Sequence, residues 1–207
     1  MTVLLVNGSP HKNGSTDRAL QEVAKTLEAG GVETEMFWIG TAPIGGCIGC
    51  GGCGKTGECV FGGPVVEFVR KAKEADGFVF GSPVHYAAAS GNMTSFLDRA
   101  FYSADADVFR FKPAAVVTAA RRGGTTAAYE QLLKYPGISH MPIVSSQYWN
   151  MVHGANAQDV EQDMEGLQTM RALGRNMAWL LHCIEAGRAA GIEPPALEPF
   201  QRTNFIR

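Results

Sequence analysis

The stretch Thr2-Val3-Leu4-Leu5-Val6-Asn7-Gly8-Ser9-Pro10-His11-Lys12-Asn13-Gly14-Ser15-Thr16 decides the fold. It opens on a short apolar run with no polar alternation, the mark of a strand buried on both faces. Asn7-Gly8-Ser9-Pro10 then breaks the run with turn-forming residues. Beyond the loop, Ala19, Leu20, Val23, Ala24 and Leu27 recur at helical spacing, and Gly30-Gly31 stops that helix. Strand, small-residue loop and helix form the opening unit of a parallel α/β domain.

The same alternation continues along the chain. Residues 32–39 read as a second strand whose acids alternate with apolar residues, as at a sheet edge. A Gly- and Cys-rich loop over 40–62 follows, then a helix from Pro64 to about Ala75. Residues 77–81 and 113–120 are apolar strands. Met93, Phe96, Leu97, Ala100 and Phe101 mark a helix between them, and 125–133 marks another. A weaker fifth strand is expected over 138–146. A long last helix is expected from Val160 through Ile184.

This order predicts one doubly wound α/β domain over 1–190, with five parallel strands and helices on both faces. An extended tail is expected over 191–207. Ligands in such sheets bind beyond the carboxyl ends of the strands. Three small, polar loops emerge there, over 7–16, 81–90 and 119–125.

Composition narrows the function classes. The 207 residues are 45% hydrophobic and 18% charged, which excludes a disordered chain. A net charge of −2 gives no bulk attraction to nucleic acid or to an anionic membrane. No basic n-region with an apolar core opens the chain, and no apolar run approaches transmembrane length. A cytoplasmic protein is expected.

The loop Gly8 to Thr16 reads as a phosphate cradle, with hydroxyls at the start of a helix. An ordinary turn with a Ser/Thr cap is the plainer reading. The loop lacks the GxGxxG spacing of a dinucleotide fold. Gly49 to Thr56 matches the GxxxxGK[ST] pattern by letter, but no strand precedes it and no helix opens at it, so that match is rejected.

Cysteine use is the other signal. Cys47, Cys50, Cys53 and Cys59 run C-x2-C-x2-C-x5-C, while Cys183 reads as a small core residue. A reducing compartment does not hold structural disulfides. The C-x2-C-x2-C core is shared with bacterial ferredoxins. A 4Fe-4S cluster is placed first, reduced cysteines without metal second and zinc third, because structural zinc usually pairs two separated knuckles. In Gly81-Ser82-Pro83-Val84-His85-Tyr86, Tyr86 suits the side of a planar ring. His85 is either a donor to a ring carbonyl or a solvated histidine. Asp98 and Arg99 read most simply as a surface ion pair. The segment Trp149 to Gly154 is either a subunit contact or part of a site.

Together these residues resemble the flavodoxin-like NADPH-dependent FMN reductase family, and within it the iron–sulfur flavoproteins. The first loop is similar to the family's FMN phosphate loop. Cys47, Cys50, Cys53 and Cys59 are similar to the compact motif of the iron–sulfur branch. Gly81 to Tyr86, continuing to Phe96-Leu97-Asp98-Arg99, is similar to the flavin-ring loop and its helix. The resemblance implies that Ser9, His11, Asn13, Gly14, Ser15 and Thr16 hold the FMN phosphate. It implies that Pro83, Val84, His85 and Tyr86 border the ring. Ala119, Arg121, Gly123 and Gly124 would close the third side. It also implies a homodimer or homotetramer, since the family binds FMN near subunit interfaces. His85 departs from the family pattern by standing before Tyr86, and the Arg121-Arg122 pair is a second departure. That pair suits a nicotinamide phosphate, an acidic substrate or plain solvation.

The expected function is an FMN oxidoreductase in which NAD(P)H reduces the flavin. The flavin then passes electrons to a small-molecule or protein acceptor. No side chain is assigned as acid or base. Two rivals stand beside this reading: an electron carrier fed by ferredoxin, and a zinc-holding nucleotide-binding or regulatory module.

Overall fold

In a computed structural model, which describes residues 1–203 and 205, β1 (Thr2–Asn7) is an interior strand of the sheet. Its side chains alternate between two cores. Leu4 and Val6 enter one, and Val3 and Leu5 enter the other. An all-apolar strand is thus a period-two strand with both faces covered.

The chain continues through α1 (Ser15–Ala29), β2 (Glu33–Trp38), a one-turn α2 (Cys53–Thr56), α3 (Pro64–Glu74), β3 (Gly77–His85) and β4 (Ala88–Ala89). Next come α4 (Gly91–Ser103), a 3-10 turn (Ala106–Val108), β5 (Ala114–Ala120) and α5 (Thr125–Ile138). β6 (Met151–His153), α6 (Ala157–Val160) and α7 (Met164–Ala189) end it. The parallel strands run in the order β2-β1-β3-β5-β6, the expected flavodoxin-like topology with β2 at an edge. The two-residue β4 pairs antiparallel with the end of β3 and makes a sixth strand.

Helices α3, α4 and α5 contribute to the core on one face, and α1 and α7 to the core on the other. The first core is built around an aromatic group. Phe68 lies 5.1 Å from Phe96, 5.6 Å from Phe37 and 6.1 Å from Phe78, ring centre to ring centre. On the second face, Glu22 of α1 receives hydrogen bonds from Arg18 at 2.9 Å and from Arg171 of α7 at 2.6 Å. Burial pushes the Glu22 carboxyl up, but the two guanidinium groups outweigh it and hold the pKa below the ordinary 4.5. A lowered native pKa contributes stability that is complete above the unfolded value. That stability is lost as pH falls through the lowered value. Glu22→Gln is therefore expected to flatten the acid side of the stability curve, read by urea unfolding from neutral pH downward. An unchanged acid limb would remove this clamp from the acid response.

Several expectations are corrected. The fifth strand is not 138–146. That segment makes one isolated bridge, Ile143 to Ala114, closed by the Ala114 N–H on the Pro142 carbonyl and the Val144 N–H on the Ala114 carbonyl, and no ladder follows it. The chain then leaves the sheet and returns as β6, where Met151 pairs with Thr118. The last helix begins at Met164, and Val160 belongs to α6. β3 runs four residues past Gly81, to His85. Cys183 is exposed on α7 rather than packed in the core. Arg99 is buried, not at the surface, and it does not pair with Asp98, which accepts a 2.6 Å bond from Tyr135. In the expected tail over 191–207, Asn204, Ile206 and Arg207 lie outside the described residues.

Candidate flavin and cysteine sites

The first loop is built by Asn7 at the end of β1. Its side chain donates to the Lys12 carbonyl at 3.2 Å and to Asp17 at 3.3 Å, and it accepts from the Ser9 N–H at 3.0 Å. Ser9 in turn accepts from the His11 N–H at 3.1 Å. Trp38 at the end of β2 donates to the Ser9 carbonyl at 2.8 Å. These bonds hold the loop open around the start of α1. Burial raises the Asp17 carboxyl above its ordinary value, against the bonds from Asn7 and Gln21.

A cavity of about 570 Å³ lies at the carboxyl ends of β1, β3, β5 and β6. The first loop contributes Ser9, His11, Asn13, Gly14, Ser15 and Thr16, all six expected residues. The second loop contributes Pro83, Val84 and His85, and the third contributes Ala119 and Arg121. Tyr86, Gly123 and Gly124 do not line it. Gly154, Ala155 and Asn156, after β6, close the remaining side. Sequence reasoning reached only Gly154 of this fourth wall, in the segment read as a subunit contact or part of a site, and missed Ala155 and Asn156 because it placed the last strand too early. Their signal was Gly154-Ala155-Asn156, small residues ending in a helix cap shortly after the apolar pair Met151-Val152. Asn156 does cap α6, accepting from the Asp159 N–H at 2.9 Å.

Two features at the start of α1 suit an anion. Gly14 caps the helix without a side-chain hydrogen bond, which leaves the first turn without a side-chain partner. The Thr16 hydroxyl is buried and unpartnered. An orphaned buried donor costs free energy unless a ligand satisfies it. The residues present therefore fit a bound phosphate group.

Tyr86 and Ala87 form the tip of the β3–β4 hairpin, both with positive φ, 52° and 58°. Two successive left-handed residues make a hairpin turn that normally requires Asn or Gly. Such strain collects at functional segments. Gly124 carries the load behind this tip. Its φ is +100°, and a Cβ there would lie 2.7 Å from the Ala87 backbone. Its place in the fold is thus to seat the hairpin beside the cavity. Tyr86 stands fully exposed, at 106%.

The four cysteines share a second, small cleft of about 20 Å³, with Ile48, Val60, Phe61, Arg99 and Tyr102. Cys47 and Cys50 are exposed, while Cys53 and Cys59 are half-buried. The loop folds back because Gly57 ends α2 in the left-handed conformation, at φ +76°. Helix α4 anchors both ends of the loop. Asn92 accepts from the Ile44 N–H at 3.1 Å and donates to the Ala42 carbonyl at 3.0 Å. Arg99 donates to Cys59 Sγ at 3.2 Å and to the Gly62 carbonyl at 2.8 Å. The same helix is capped by Ser90, which donates to the Gly8 carbonyl at 3.0 Å. One helix thus braces both clefts. Among the described residues, no three His, Cys, Asp or Glu side chains converge as a single-ion site.

The fold and the first cavity define a flavodoxin-like protein with an open cleft at the carboxyl ends of its strands. The model of the NADPH-dependent FMN reductase family matches residues 1–156, and the chain belongs to that family. It is thus an FMN flavoprotein of the oxidoreductase type. An iron–sulfur flavoprotein of Methanocaldococcus jannaschii is 30% identical over 192 residues, 89% of this chain and 100% of the relative. An iron–sulfur flavoprotein of Archaeoglobus fulgidus is 30% identical over 190 residues, 87% of this chain and 97% of the relative. Among solved structures, RosB with a bound formylriboflavin-phosphate intermediate superposes with a TM-score of 0.68 at 15% identity, covering 100% of this chain and 94% of RosB. The NAD(P)H:acceptor oxidoreductase FerB of Paracoccus denitrificans gives 0.62 at 17% identity, covering 88% and 97%. Both share the fold. No helix among the described residues is long and apolar enough to cross a membrane.

Proposed function

We propose that this chain is an NAD(P)H-dependent FMN oxidoreductase that also carries a 4Fe-4S cluster on Cys47, Cys50, Cys53 and Cys59. The observation that carries the flavin part is the unpartnered Thr16 hydroxyl in a cavity already lined by six residues of the first loop. Ser9, His11, Asn13, Gly14, Ser15 and Thr16 bind the phosphate. Pro83, Val84 and Ala119 present apolar walls to the ring. His85, Arg121 and the exposed Tyr86 stand at the rim. Gly124 supports the hairpin. Bound FMN supplies the chemistry, taking up electrons as hydride and releasing them singly or in pairs. The protein's task is to bind, orient and shield, so no side chain is required as acid or base.

A homodimer or homotetramer that completes the rim belongs to the reading through the family resemblance. The absence of a basic surplus supports a small molecule or an acceptor protein as partner, rather than nucleic acid. The 1–190 domain and the cytoplasmic setting belong to the same reading.

The cysteine run supports a cluster ahead of zinc. Its C-x2-C-x2-C core is shared with bacterial ferredoxins, whereas structural zinc usually pairs two separated knuckles. All four cysteines line one cleft. Anaerobic purification with iron, sulfide and FMN analysis tests the assignment. Cys50→Ser is expected to lower iron and sulfide content and to leave FMN content unchanged. Zinc in place of iron would overturn it.

Anaerobic mixing with NADH or NADPH tests the donor. Loss of the bound flavin's visible absorbance is expected with at least one of them. Bleaching only by reduced ferredoxin would favour the electron-carrier reading.

A further inference from the structure

We infer that Arg99 is a positioning and charge-compensating residue of the cysteine site: it fixes Cys59 in place and raises the reduction potential of whatever cluster the four cysteines hold.

Arg99 is only 7% exposed, on the buried face of α4. Among the described residues no carboxylate pairs with it. A buried guanidinium without a counter-charge is costly, so buried charges are paired or face an anion. Here the fork is spent on the cysteine loop. Nε–H points at Cys59 Sγ, and one terminal nitrogen holds the Gly62 carbonyl. The Phe61 ring lies 5.7 Å from the guanidinium carbon and covers its side. Both hydrogen bonds and the ring contact thus join Arg99 to residues 59–62, the arm that brings in the fourth cysteine. That cysteine is the one set apart by the x5 spacing, so it most needs an external anchor.

The missing counter-charge is supplied by thiolates. A cluster held by four thiolates carries negative charge, and one-electron reduction by a titrant such as dithionite adds one more. A fixed positive charge at hydrogen-bond distance from a ligand sulfur favours the more negative, reduced state. Hydrogen bonds to sulfur and local charge are the levers that set such potentials.

The inference rests on the cluster reading, and the experiment separates the two. Wild-type holoprotein, Arg99→Met and Arg99→Lys are purified anaerobically. Iron, sulfide and FMN are counted, and iron loss to EDTA is timed. The cluster midpoint is measured by dithionite titration with electron paramagnetic resonance. Arg99→Met is expected to shift the midpoint to a more negative potential and to lose iron roughly tenfold faster, the weight of one hydrogen bond to a charged group. Arg99→Lys keeps the charge but loses the rigid fork whose two separate nitrogens hold Cys59 and Gly62. It is expected to restore most of the midpoint while still losing iron faster than wild type.

If Arg99→Met does not fold, as judged by its FMN content, Arg99→Lys carries the test alone. A lysine variant equal to wild type in iron loss overturns the positioning role. An Arg99→Met protein with the wild-type midpoint and iron loss overturns the inference while the cluster reading stands. Wild-type protein that takes up neither iron nor sulfide overturns the cluster reading, and the inference with it.

Discussion

Ser15→Asp is expected to weaken FMN binding by roughly 30- to 150-fold, measured by fluorescence titration of the apoprotein. Ser15 opens α1 and its hydroxyl donates to the Gly154 carbonyl at 3.0 Å, across the mouth of the cavity. A carboxylate here meets the phosphate at close range. Two like charges about 4 Å apart repel by roughly 4 kcal/mol at an effective dielectric near 20. The cleft is open to solvent, so screening leaves about 2–3 kcal/mol, which is the affinity loss stated. The substitution also removes the tie to Gly154, so circular dichroism and thermal unfolding must show an intact fold. Unchanged FMN affinity in a folded Ser15→Asp protein would move the phosphate away from the α1 terminus.

Thr16→Val separates binding from folding at the neighbouring position. The hydroxyl is buried and unpartnered without ligand. Its removal is expected to stabilise the apoprotein by about 1 kcal/mol, the cost of an unsatisfied buried polar group. FMN affinity is expected to fall roughly tenfold or more, because the phosphate loses a charged hydrogen bond. Opposite signs on the two measurements are the mark of a ligand-directed group. A loss of stability with unchanged affinity would make Thr16 an ordinary packing residue.

Phe68→Ala carries the largest expected effect on stability, a loss of about 3–5 kcal/mol in urea unfolding. Phe68 is fully buried on α3, and its ring meets those of Phe37, Phe78, Phe80, Phe96 and Phe109 at 5.1 to 6.3 Å. Such a hub has little room to collapse, because its neighbours stand on three different elements and on the segment before β5. Domains of this class hold only about 5–15 kcal/mol in total, so the variant is expected near the edge of folding. None of the five partner rings lines the flavin cavity. FMN affinity of the folded fraction is therefore expected to stay near wild type. A loss under about 1 kcal/mol would mean that the aromatic group repacks around the gap.

Much of this molecule is legible from local pattern. The buried strands at 2–6, 77–81 and 113–120 announce themselves because a strand covered on both faces has no polar positions to spend. The loops at their carboxyl ends are legible for the converse reason, being small and hydroxylated where the backbone must approach a ligand. The last strand escaped because its apolar signal at 138–146 is interrupted by Pro142, while the true β6 is only three residues long. A strand that short carries no period. Its pairing with β5 is set by the return of the chain after an excursion that leaves Tyr148 and Trp149 exposed.

Arg99 shows the limit most clearly. Beside Asp98 in sequence, it invites the reading of a surface pair. On α4 adjacent residues point about 100° apart, so Asp98 faces Tyr135 at the surface and Arg99 faces the cysteine loop.

By itself, the sequence determined the layered α/β fold, the first-loop residues that line the cavity and the cysteine run. Each is written in contiguous residues whose spacing and polarity follow from strand, helix and turn geometry. Tertiary structure alone decided the fourth wall of the cavity at Gly154–Asn156, the seating of the strained Tyr86–Ala87 tip against Gly124, and the burial of Arg99 beneath Cys59. Those features join residues 30 or more positions apart, and their chemistry exists only once the sheet has closed and the helices have packed onto it.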